Sequence, residues 1–372
     1  MFSREFSASF CTIMFLVSVA YAGARTSADT YRLVDLGTLS GGESSGVGIN
    51  NLGDVVGSAD VLPNGWQHGF FGGKPLMDVG APADFPQSHL DAVSDYGQAI
   101  GWANNDFSDV DGLAYLWENH AWTPLGVLPG LENSRPTDIN NAGQIVGWSY
   151  GGGYSRAWIW QDGELTPLPT PQYVSIAHAI NESGTLIVGG VNADGVIGRL
   201  HAAVWSGDEV TLIGSLTGSH SSSVAVGVND NGYVVGTKSS QVYNSVSGTA
   251  FIWDGDTMTF LPKPDGWGSA FARGINSRNQ VVGDLFGPSS TFDGFIWENG
   301  VTRRLTDLLD PDSGWTILSA KGINDRGQIV GTAQYNGGDP HAVLLKPVVS
   351  RFEARHGRVV ESAQGEEAVL EP

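Results

Sequence analysis

The sequence has almost no cysteine. Cys11 is the only one among 372 residues, and it falls in a segment that we expect to be removed. The mature chain would then contain no thiol, which excludes a disulfide framework and cysteine-based catalysis. Cationic residues are also scarce, because 19 Lys and Arg against 39 Asp and Glu give a formal net charge of −20. Such a field repels a phosphate backbone, so we do not expect a nucleic-acid partner.

Long apolar runs are lacking as well, and we expect no membrane span. The first 22 residues have the pattern of a secretory signal peptide, with Arg4 before an apolar core over Phe10–Ala20. The sequence Ala20-Tyr21-Ala22 is typical of a cleavage site. The alternative is a buried N-terminal helix. We therefore expect export to the periplasm or the extracellular space after cleavage near Ala22, with residues 23–30 as a short linker.

Familiar catalytic motifs are not found. The chain has no Gly-x-Ser-x-Gly elbow, no phosphate-binding loop and no His-Glu-x-x-His pair. What it has in abundance is glycine, with 52 residues, together with β-branched and aromatic residues. This composition favours short strands and tight turns.

One short phrase of the form Ile-Asn-x-x-Gly-Gln-Ile-Val-Gly recurs along the whole chain. Its first polar residue, which we call the marker, is Asn50, Ser94, Asn140, Asn181, Asn229, Asn276 and Asn324. The markers are separated by about 46 residues on average, a period typical of solenoids and propellers. The turn after each marker closes on Gly, or once on Asn279, which predicts φ > 0 there. The marker side chain is expected to cap this turn.

Each repeat contains four strand-like segments, and their count predicts how the ends meet. Tyr31–Leu39 resembles a fourth strand that precedes any first strand, whereas the last unit, Ala320–Val348, has strands one to three only. The sequence thus predicts an all-β, seven-bladed β-propeller over residues 31–348, with the N-terminal strand completing the last blade. An open β-solenoid explains the period but not the permuted ends. Residues 349–372 are predicted to be a polar, disordered tail.

Two further rows of residues repeat with the blades. Large apolar side chains at one position predict packing between blades: Trp117, Trp160, Trp205, Trp253 and Trp297. Small residues two before the markers predict crowding near the axis: Gly48, Ala92, Ala179, Gly227, Gly274 and Gly322. Asp138 breaks the second row.

The third strand reads His68-Gly69-Phe70, His201-Ala202-Ala203 and His341-Ala342-Val343 in three of the repeats. With the Ile-Asn phrase, this pattern resembles the bacterial extracellular HAF-repeat family, named for a His-Ala-Phe triplet. The resemblance covers about residues 31–347. It implies an extracellular protein and brings no assigned activity. The three histidines belong to the repeated phrase, so we interpret them as structural.

Function is expected where the blades differ. The variable connections between strands two and three share one face of a propeller with the connections between blades, and loops on a rigid scaffold commonly carry function. In the first of these loops Asp106, Asp109 and Asp111 precede Gly112, and such oxygen ligands suit Ca²⁺. The alternative is a solvated acidic loop, and no other cofactor is expected.

A second candidate site is the row three residues before the markers. It consists of Val47, Asp91, Thr137, His178, Val226, Arg273 and Lys321. The four ionisable members could converge on one axial pocket, form a structural ion-pair ring, or point apart. Four tryptophans outside the repeat register could stack on a sugar or a partner, or simply pack: Trp66, Trp122, Trp267 and Trp315.

Two functional classes remain from the sequence. The first is a secreted, monomeric, non-catalytic propeller that binds a protein or a glycan through the face that carries the loops between strands two and three. The second is an extracellular hydrolase or lyase acting on a polysaccharide-type substrate. It would use Asp91, His178, Arg273 and Lys321 as general acid, base or charge clamp.

Overall fold

The computed structural model describes residues 30–61, 65–105, 111–171, 174–196, 198–214, 221–242 and 245–348. The predicted signal peptide over residues 1–22, nearly all of the linker and the C-terminal tail lie outside these ranges. Within them, no helix is both long and apolar enough to cross a membrane.

The described residues form 28 strands arranged in seven four-stranded antiparallel sheets. Six sheets are built from consecutive strands: β2 (Ser44–Ile49), β3 (Val55–Val61), β4 (Trp66–Phe71), β5 (Met77–Asp78); β6 (Gln87–Val93), β7 (Ala99–Asn104), β8 (Leu113–Glu118), β9 (Ala121–Pro124); β10 (Asn133–Ile139), β11 (Ile145–Gly151), β12 (Tyr154–Gln161), β13 (Glu164–Pro167); β14 (Ser175–Ile180), β15 (Ile187–Val191), β16 (His201–Ser206), β17 (Glu209–Leu212); β18 (Ser221–Val228), β19 (Val234–Val242), β20 (Ser245–Trp253), β21 (Met258–Phe260); and β22 (Ser269–Ile275), β23 (Val281–Phe286), β24 (Phe292–Glu298), β25 (Val301–Arg304). In the seventh sheet, β1 (Thr30–Gly37) pairs with β28 (Pro340–Val348), which is followed by β27 (Ile329–Tyr335) and β26 (Trp315–Ile323). Two short 3₁₀ helices span Pro288–Ser290 and Thr306–Leu308.

The sheets are the blades of a ring. The innermost strand of each blade contacts the innermost strand of the next, and β26 of the last blade contacts β2 of the first. The predicted seven-bladed β-propeller is confirmed. The solenoid alternative is wrong, because an open stack would leave the first and last units apart.

The marker asparagines hold neighbouring blades together as well as capping turns. The side-chain oxygen of Asn276 accepts hydrogen bonds from the backbone N–H groups of Arg278 and Gln280, at 3.1 and 3.0 Å. Its amide nitrogen donates to the backbone carbonyl of Asn324 in the next blade, at 3.0 Å. Asn324 in turn donates to the carbonyl of Asn50 at 2.9 Å, which links the last blade to the first. The sequence predicted the cap, but the bond between blades depends on the ring.

Every innermost strand contains a β-bulge at the same repeat position. The register against the second strand skips one residue, three before the marker, in each blade: Val47, Asp91, Thr137, His178, Val226, Arg273 and Lys321. The glycine that ends the repeated phrase lies opposite the bulge. A Cβ atom on Gly101, for example, would collide with the backbone oxygen of His89. The bulge and the glycine therefore occur together, because the bulged backbone leaves no room for a Cβ atom opposite it. A bulge also redirects the side chain of the extra residue away from the regular strand pairing.

Packing between blades follows the two predicted rows. Trp117 and Trp205 are buried, and the other repeated tryptophans are partly buried in the clusters between blades. Near the axis the backbones approach closely, since a Cβ atom on Gly48 would lie 2.7 Å from the carbonyl oxygen of Asp91. The predicted inter-blade core and the crowding near the axis are both confirmed.

Candidate functional site

An axial cavity of about 480 Å³ is lined mainly by the later halves of the innermost strands. All seven bulged residues line it, so the bulges turn one side chain of every blade toward the same space. Compared with the second axial cavity described below, this cavity lies nearer the end where the innermost strands begin, which also carries the loops between strands two and three. We call this side of the axis the loop end. The four ionisable residues of the predicted row, Asp91, His178, Arg273 and Lys321, therefore share one cavity.

Two of these residues form a cationic pair held by a buried carboxylate. Asp284 on β23 accepts hydrogen bonds from Arg273 Nε at 2.7 Å and from Lys321 Nζ at 3.0 Å. It also accepts one from the backbone N–H of Ala320 at 3.3 Å. Burial lowers the pKa of Lys321 and the nearby charge of Arg273 lowers it further, whereas the charge of Asp284 raises it. One negative charge thus holds two positive charges at the cavity wall.

His178 is the neutral polar group of the cavity. Desolvation, and then the charge of Arg273, lower its pKa to about 4, so its imidazole is uncharged at neutral pH. The His178 ring meets the ring of Trp148 at a centroid distance of 5.7 Å and an interplanar angle of 62°. Trp148 is half-buried and lines the same cavity. This arrangement offers a partly exposed aromatic face beside a group that can donate or accept a hydrogen bond.

Asp91 lies on another side of the cavity, near Arg135. Desolvation raises the pKa of the Asp91 carboxyl to about 7, while the positive charge of Arg135 acts in the opposite direction. The guanidinium carbon of Arg135 lies 3.7 Å from the ring centroid of Trp102, a cation–π contact. Trp102 also stacks on His89 at a centroid distance of 4.1 Å. These contacts fix Arg135 at the cavity wall.

The opposite end of the axis, which we call the turn end, has a different chemistry. A smaller cavity of about 200 Å³ is lined there by the marker asparagines and the residues that follow them. The residues after the markers form a chain of hydrogen bonds from blade to blade. Asp95 accepts from the backbone N–H of Asn51 at 2.7 Å, and Asp325 accepts from that of Ser277 at 2.8 Å. These acidic side chains are used in joining the blades.

Asp138, which breaks the row of small residues, lines both cavities. Its carboxylate accepts hydrogen bonds from the backbone N–H groups of Ile139 at 2.9 Å and of Ile180 in the next blade at 3.0 Å. Desolvation raises its pKa to about 7, although the two hydrogen bonds favour the charged form.

The four candidate tryptophans lie away from the axial cavity and are half-buried. Trp122 donates a hydrogen bond from Nε1 to the carbonyl of Val79 at 3.2 Å. The guanidinium of Arg304 lies 5.3 Å from the ring of Trp267. Trp315 packs in a core cluster between the last two blades, and Trp66 lies at the start of β4. The structure does not bring these four side chains together.

The predicted Ca²⁺ loop is only partly within the described residues. Asp106 and Asp109 lie outside them, and Asp111 accepts a hydrogen bond from Asn133 Nδ2 at 3.4 Å. Within the described ranges, no group of three His, Cys, Asp or Glu residues is arranged to hold a metal ion. The Ca²⁺ site stays a prediction.

The histidines of the HAF-like triplets bind carboxylates within the blades. His68 Nδ1 lies 2.9 Å from Asp78, and His341 Nδ1 lies 3.0 Å from Asp35, each on the fourth strand of its blade. The sixth blade has the charges reversed, with Asp293 at the histidine position and Arg304 on the fourth strand, 2.8 Å apart. These pairs agree with the structural interpretation of the histidines.

Sequence reasoning missed three residues that shape the axial cavity. Arg135 lies two residues before the bulge of its blade, and Trp148 and Asp284 lie on second strands. A signal for the last two was present. The residue directly after the final glycine of the phrase is aromatic at Trp102 and Trp148 and acidic at Asp284, whereas the other repeats have a small or hydroxyl residue: Ser58, Gly190, Thr237 and Thr332.

Solved structures share this fold at low sequence identity. The β-propeller domain of the Trilobed protease from Pyrococcus furiosus matches with a TM-score of 0.53 and 11% identity, over 87% of this chain and 97% of that one. An acylaminoacyl peptidase matches with a TM-score of 0.53 and 12% identity, over 88% of this chain and 54% of that one. A prolyl endopeptidase gives 0.53 and 9%, over 83% and 51%. The chain thus spans about half the length of the two peptidases, and these similarities show the fold alone.

No curated protein matches the chain in sequence. A family model described as "Protein of unknown function (DUF3466)" matches residues 169–355, half of the 372-residue chain. These residues include the whole of the fourth, fifth and sixth blades, three strands of the seventh, and the axial residues His178, Arg273 and Lys321. The chain therefore belongs to the DUF3466 family.

Proposed function

We propose that the protein is a non-catalytic binding scaffold that takes part of a glycan or protein ligand into its axial cavity at the loop end. One observation carries this proposal. The seven bulged residues share a position and a direction, yet they include Asp, Thr, His, Arg, Lys and two Val. A purely structural position would be expected to repeat its chemistry, as the marker position does.

The surroundings of the cavity support binding. It lies on the side of the axis nearer the variable connections, and it combines a partly exposed aromatic ring with a few polar groups. Ligand sites commonly have this composition. The rigid ring of inner strands also holds the bulged side chains in place before a ligand arrives, which lowers the entropic cost of binding.

A test of this proposal is to fill the cavity. Val47→Trp places a large side chain on the bulge of the first blade, and Val301→Trp makes the same change on the outer strand β25, where the side chain is 57% exposed. Both variants and the wild-type chain would be tested for binding to an immobilised panel of neutral oligosaccharides, acidic oligosaccharides and short peptides. We expect the wild type and Val301→Trp to bind the same probes, and Val47→Trp to lose them.

Val226→Trp repeats the test on the fifth blade, in case the first variant is poorly folded. Circular dichroism and the melting temperature establish that each variant is native. If both cavity variants are folded and bind as well as the wild type, the axial cavity is not the binding site.

A second candidate function is an enzyme acting at the same site, a hydrolase or lyase on a polysaccharide. The specific observation is the pairing of unusual protonation states in one cavity. Asp91 has a pKa raised to about 7, suitable for a general acid, and His178 is kept neutral, suitable for a general base. Turnover of a bound polysaccharide, measured as new reducing ends or as unsaturated sugar, would establish it. Loss of that turnover in His178→Gln with binding retained would assign the base.

Three further points of the sequence analysis remain proposals. Export rests on the N-terminal segment, the HAF-type repeat rests on the third-strand triplets, and a monomer is expected.

A Ca²⁺ site in the loop of Asp109 and Asp111 would raise the melting temperature when Ca²⁺ is added, because a ligand of the native state stabilises it by mass action. Asp109→Ala with Asp111→Ala should abolish that rise. An unchanged melting temperature in the wild-type chain would leave a solvated acidic loop.

A further inference from the structure

We propose that the axial cavity recognises a carboxylate-bearing sugar, a uronate unit of an acidic polysaccharide, with Arg273 and Lys321 as its anchor. The inference rests on the proposed function, because it assigns a ligand class to the same cavity. It is carried by the distribution of charge, by the geometry around Asp284, and by the aromatic side of the cavity.

Three cationic residues line the cavity, although the protein as a whole is strongly acidic. The chain has 39 acidic and 19 basic residues, yet Arg135, Arg273 and Lys321 all line this one cavity. Burying cations is costly, so such residues are usually paired or used. The two carboxyl groups that also line it, Asp91 and Asp138, lie on other blades than Arg273 and Lys321, although Asp138 shares β10 with Arg135.

The geometry at Asp284 leaves donors directed at the cavity. Asp284 is buried, with 6% of its side chain exposed, whereas Arg273 and Lys321 are 39% and 30% exposed. Asp284 takes the Nε–H of Arg273 and one N–H of Lys321. Among the residues that the structure describes, no acceptor contacts the terminal nitrogens of Arg273. The Nε–H of the Arg273 guanidinium is thus bound to Asp284, while its two terminal nitrogens remain for an anion. A carboxylate can accept a bidentate pair of hydrogen bonds from these two nitrogens.

The remaining wall of the cavity suits a sugar ring better than a bare anion. Trp148 offers a partly exposed aromatic face, and the neutral His178 beside it can bond to a hydroxyl group. Thr137 adds a hydroxyl, although it donates to backbone carbonyls of its own and the next blade. A volume of about 480 Å³ leaves room for more than an inorganic ion.

The test compares one sugar in charged and neutral forms. Trigalacturonate, its fully methyl-esterified form, and sodium acetate would be titrated into the wild-type chain by calorimetry. We expect trigalacturonate to bind, and the ester and acetate to bind at least about tenfold more weakly, because each lacks either the charge or the ring. Binding of trigalacturonate should weaken as salt is added.

The variants locate the anchor. Arg273→Gln and Lys321→Gln should each weaken trigalacturonate binding by about tenfold or more, and Arg273→Lys should fall between wild type and Arg273→Gln, because it keeps the charge but loses the planar edge. Arg278→Gln is the matched control. Arg278 belongs to the same blade but lies at the turn end, and it is exposed.

The outcomes separate this inference from the proposed function. If a neutral sugar or a peptide binds and Val47→Trp blocks it, while trigalacturonate does not bind, the cavity is a ligand site and the uronate assignment is overturned. If the ester binds as well as the acid, or acetate as well as the trimer, the assignment is also overturned. If trigalacturonate binds equally to wild type, Arg273→Gln and a folded Val47→Trp, both the anchor and the axial site are wrong.

Discussion

The two ends of the propeller axis are made by the same innermost strands, yet their chemistry differs. At the turn end the marker position is an asparagine in almost every blade. Its side chain forms hydrogen bonds with its own turn and with the next blade, as Asn276 and Asn324 do. At the loop end the corresponding residues change from blade to blade, and Asp91, Arg273 and Lys321 face a shared cavity. Repetition thus marks the part that closes the ring, and variation marks the part that we propose binds a ligand.

The charges show the same contrast. Acidic side chains at the turn end accept backbone N–H groups of the neighbouring blade, as Asp95 and Asp325 do. At the loop end the buried acid Asp284 instead holds two cations, which keep part of their surface exposed. The turn end is therefore satisfied internally, whereas the loop end retains unused donors.

The largest expected effect is a loss of stability caused by a substitution at the turn end. Asn324→Ala removes the bond to Asn50 and the acceptor for the backbone N–H groups of Arg326 and Gln328. Because Asn324 is buried, these groups lose their partners, and we expect the free energy of unfolding to fall by about 3 kcal/mol. Urea denaturation measures the change. Ligand affinity of the folded fraction should not change, and a loss of affinity equal to that of Arg273→Gln would contradict the separation of the two ends.

The next largest effect is a loss of stability caused by a substitution at the loop end. Asp284→Asn removes the charge that holds Arg273 and Lys321 together, so two cations would face each other without compensation. We expect a loss of about 2 kcal/mol in the free energy of unfolding, moderated by the partial exposure of both cations. Asp256→Asn, at an exposed turn, is the control and should change stability little. Equal stability of both variants would show that solvent already screens the pair.

The pH dependence of stability distinguishes two groups within the loop end. Asp91 has a folded-state pKa of about 7 against an unfolded value of 3.8, so its contribution is present below pH 3.8 and is lost as pH rises toward 7. His178 has a folded-state pKa of about 4 against 6.5, so its contribution is present above pH 6.5 and is lost as pH falls toward 4. The two slopes therefore have opposite signs.

Asp91→Asn should gain stability relative to wild type as pH rises from about 4 to 7, and His178→Gln should gain as pH falls from about 6.5 to 4, each by about 1 to 2 kcal/mol. Unfolding by urea across this pH range measures both. Parallel curves for wild type and Asp91→Asn would mean that the carboxyl titrates normally in the cavity.

The smallest effect is a gain in stability from completing the row of marker asparagines at the turn end. Ser94 is the one marker that is not asparagine, and its hydroxyl accepts the backbone N–H of Gln98 at 3.3 Å. Ser94→Asn supplies an amide that can donate to the carbonyl of Asn140 in the next blade. We expect a gain of about 0.5 to 1 kcal/mol, measured as a raised midpoint of urea denaturation. A loss of stability would show that the second blade cannot accept the longer side chain.

Much of the fold was predictable because it depends on local rules that repeat. The glycines and Asn279 that close the turns all have positive φ, as the sequence predicted. The inter-blade tryptophans and the small axial residues also lie where their spacing placed them. The loops were less predictable. In the fifth repeat the polar segment after the final glycine of the phrase reads as one of the variable connections, but Lys238 to Val242 pair with Ser245 to Thr249 and extend the hairpin of β19 and β20. Polar β-branched and serine-rich segments pair as readily as they loop, and only the partner strand decides between these.

The candidate site was predictable only in part. The repeat register identified Asp91, His178, Arg273 and Lys321 as one row, but it could not show whether they converge. That depended on a bulge in each inner strand, which turns the row inward. The repeat register marks Asp284 as an unusual residue after the final glycine of its phrase, but it could not show that Asp284 binds Lys321 of the next blade as well as Arg273 of its own.

The sequence by itself determined the number of blades, the turn conformations and the packing rows, because each depends on residues close together in one repeat. Only the tertiary structure decided which side chains meet. Closing the ring brought Asn324 to Asn50, 274 residues apart in the chain, and placed Lys321 beside Asp284 of the preceding blade. A local pattern can specify a strand and a turn, but a cavity is made by residues from all seven blades, and their distances depend on the closure itself.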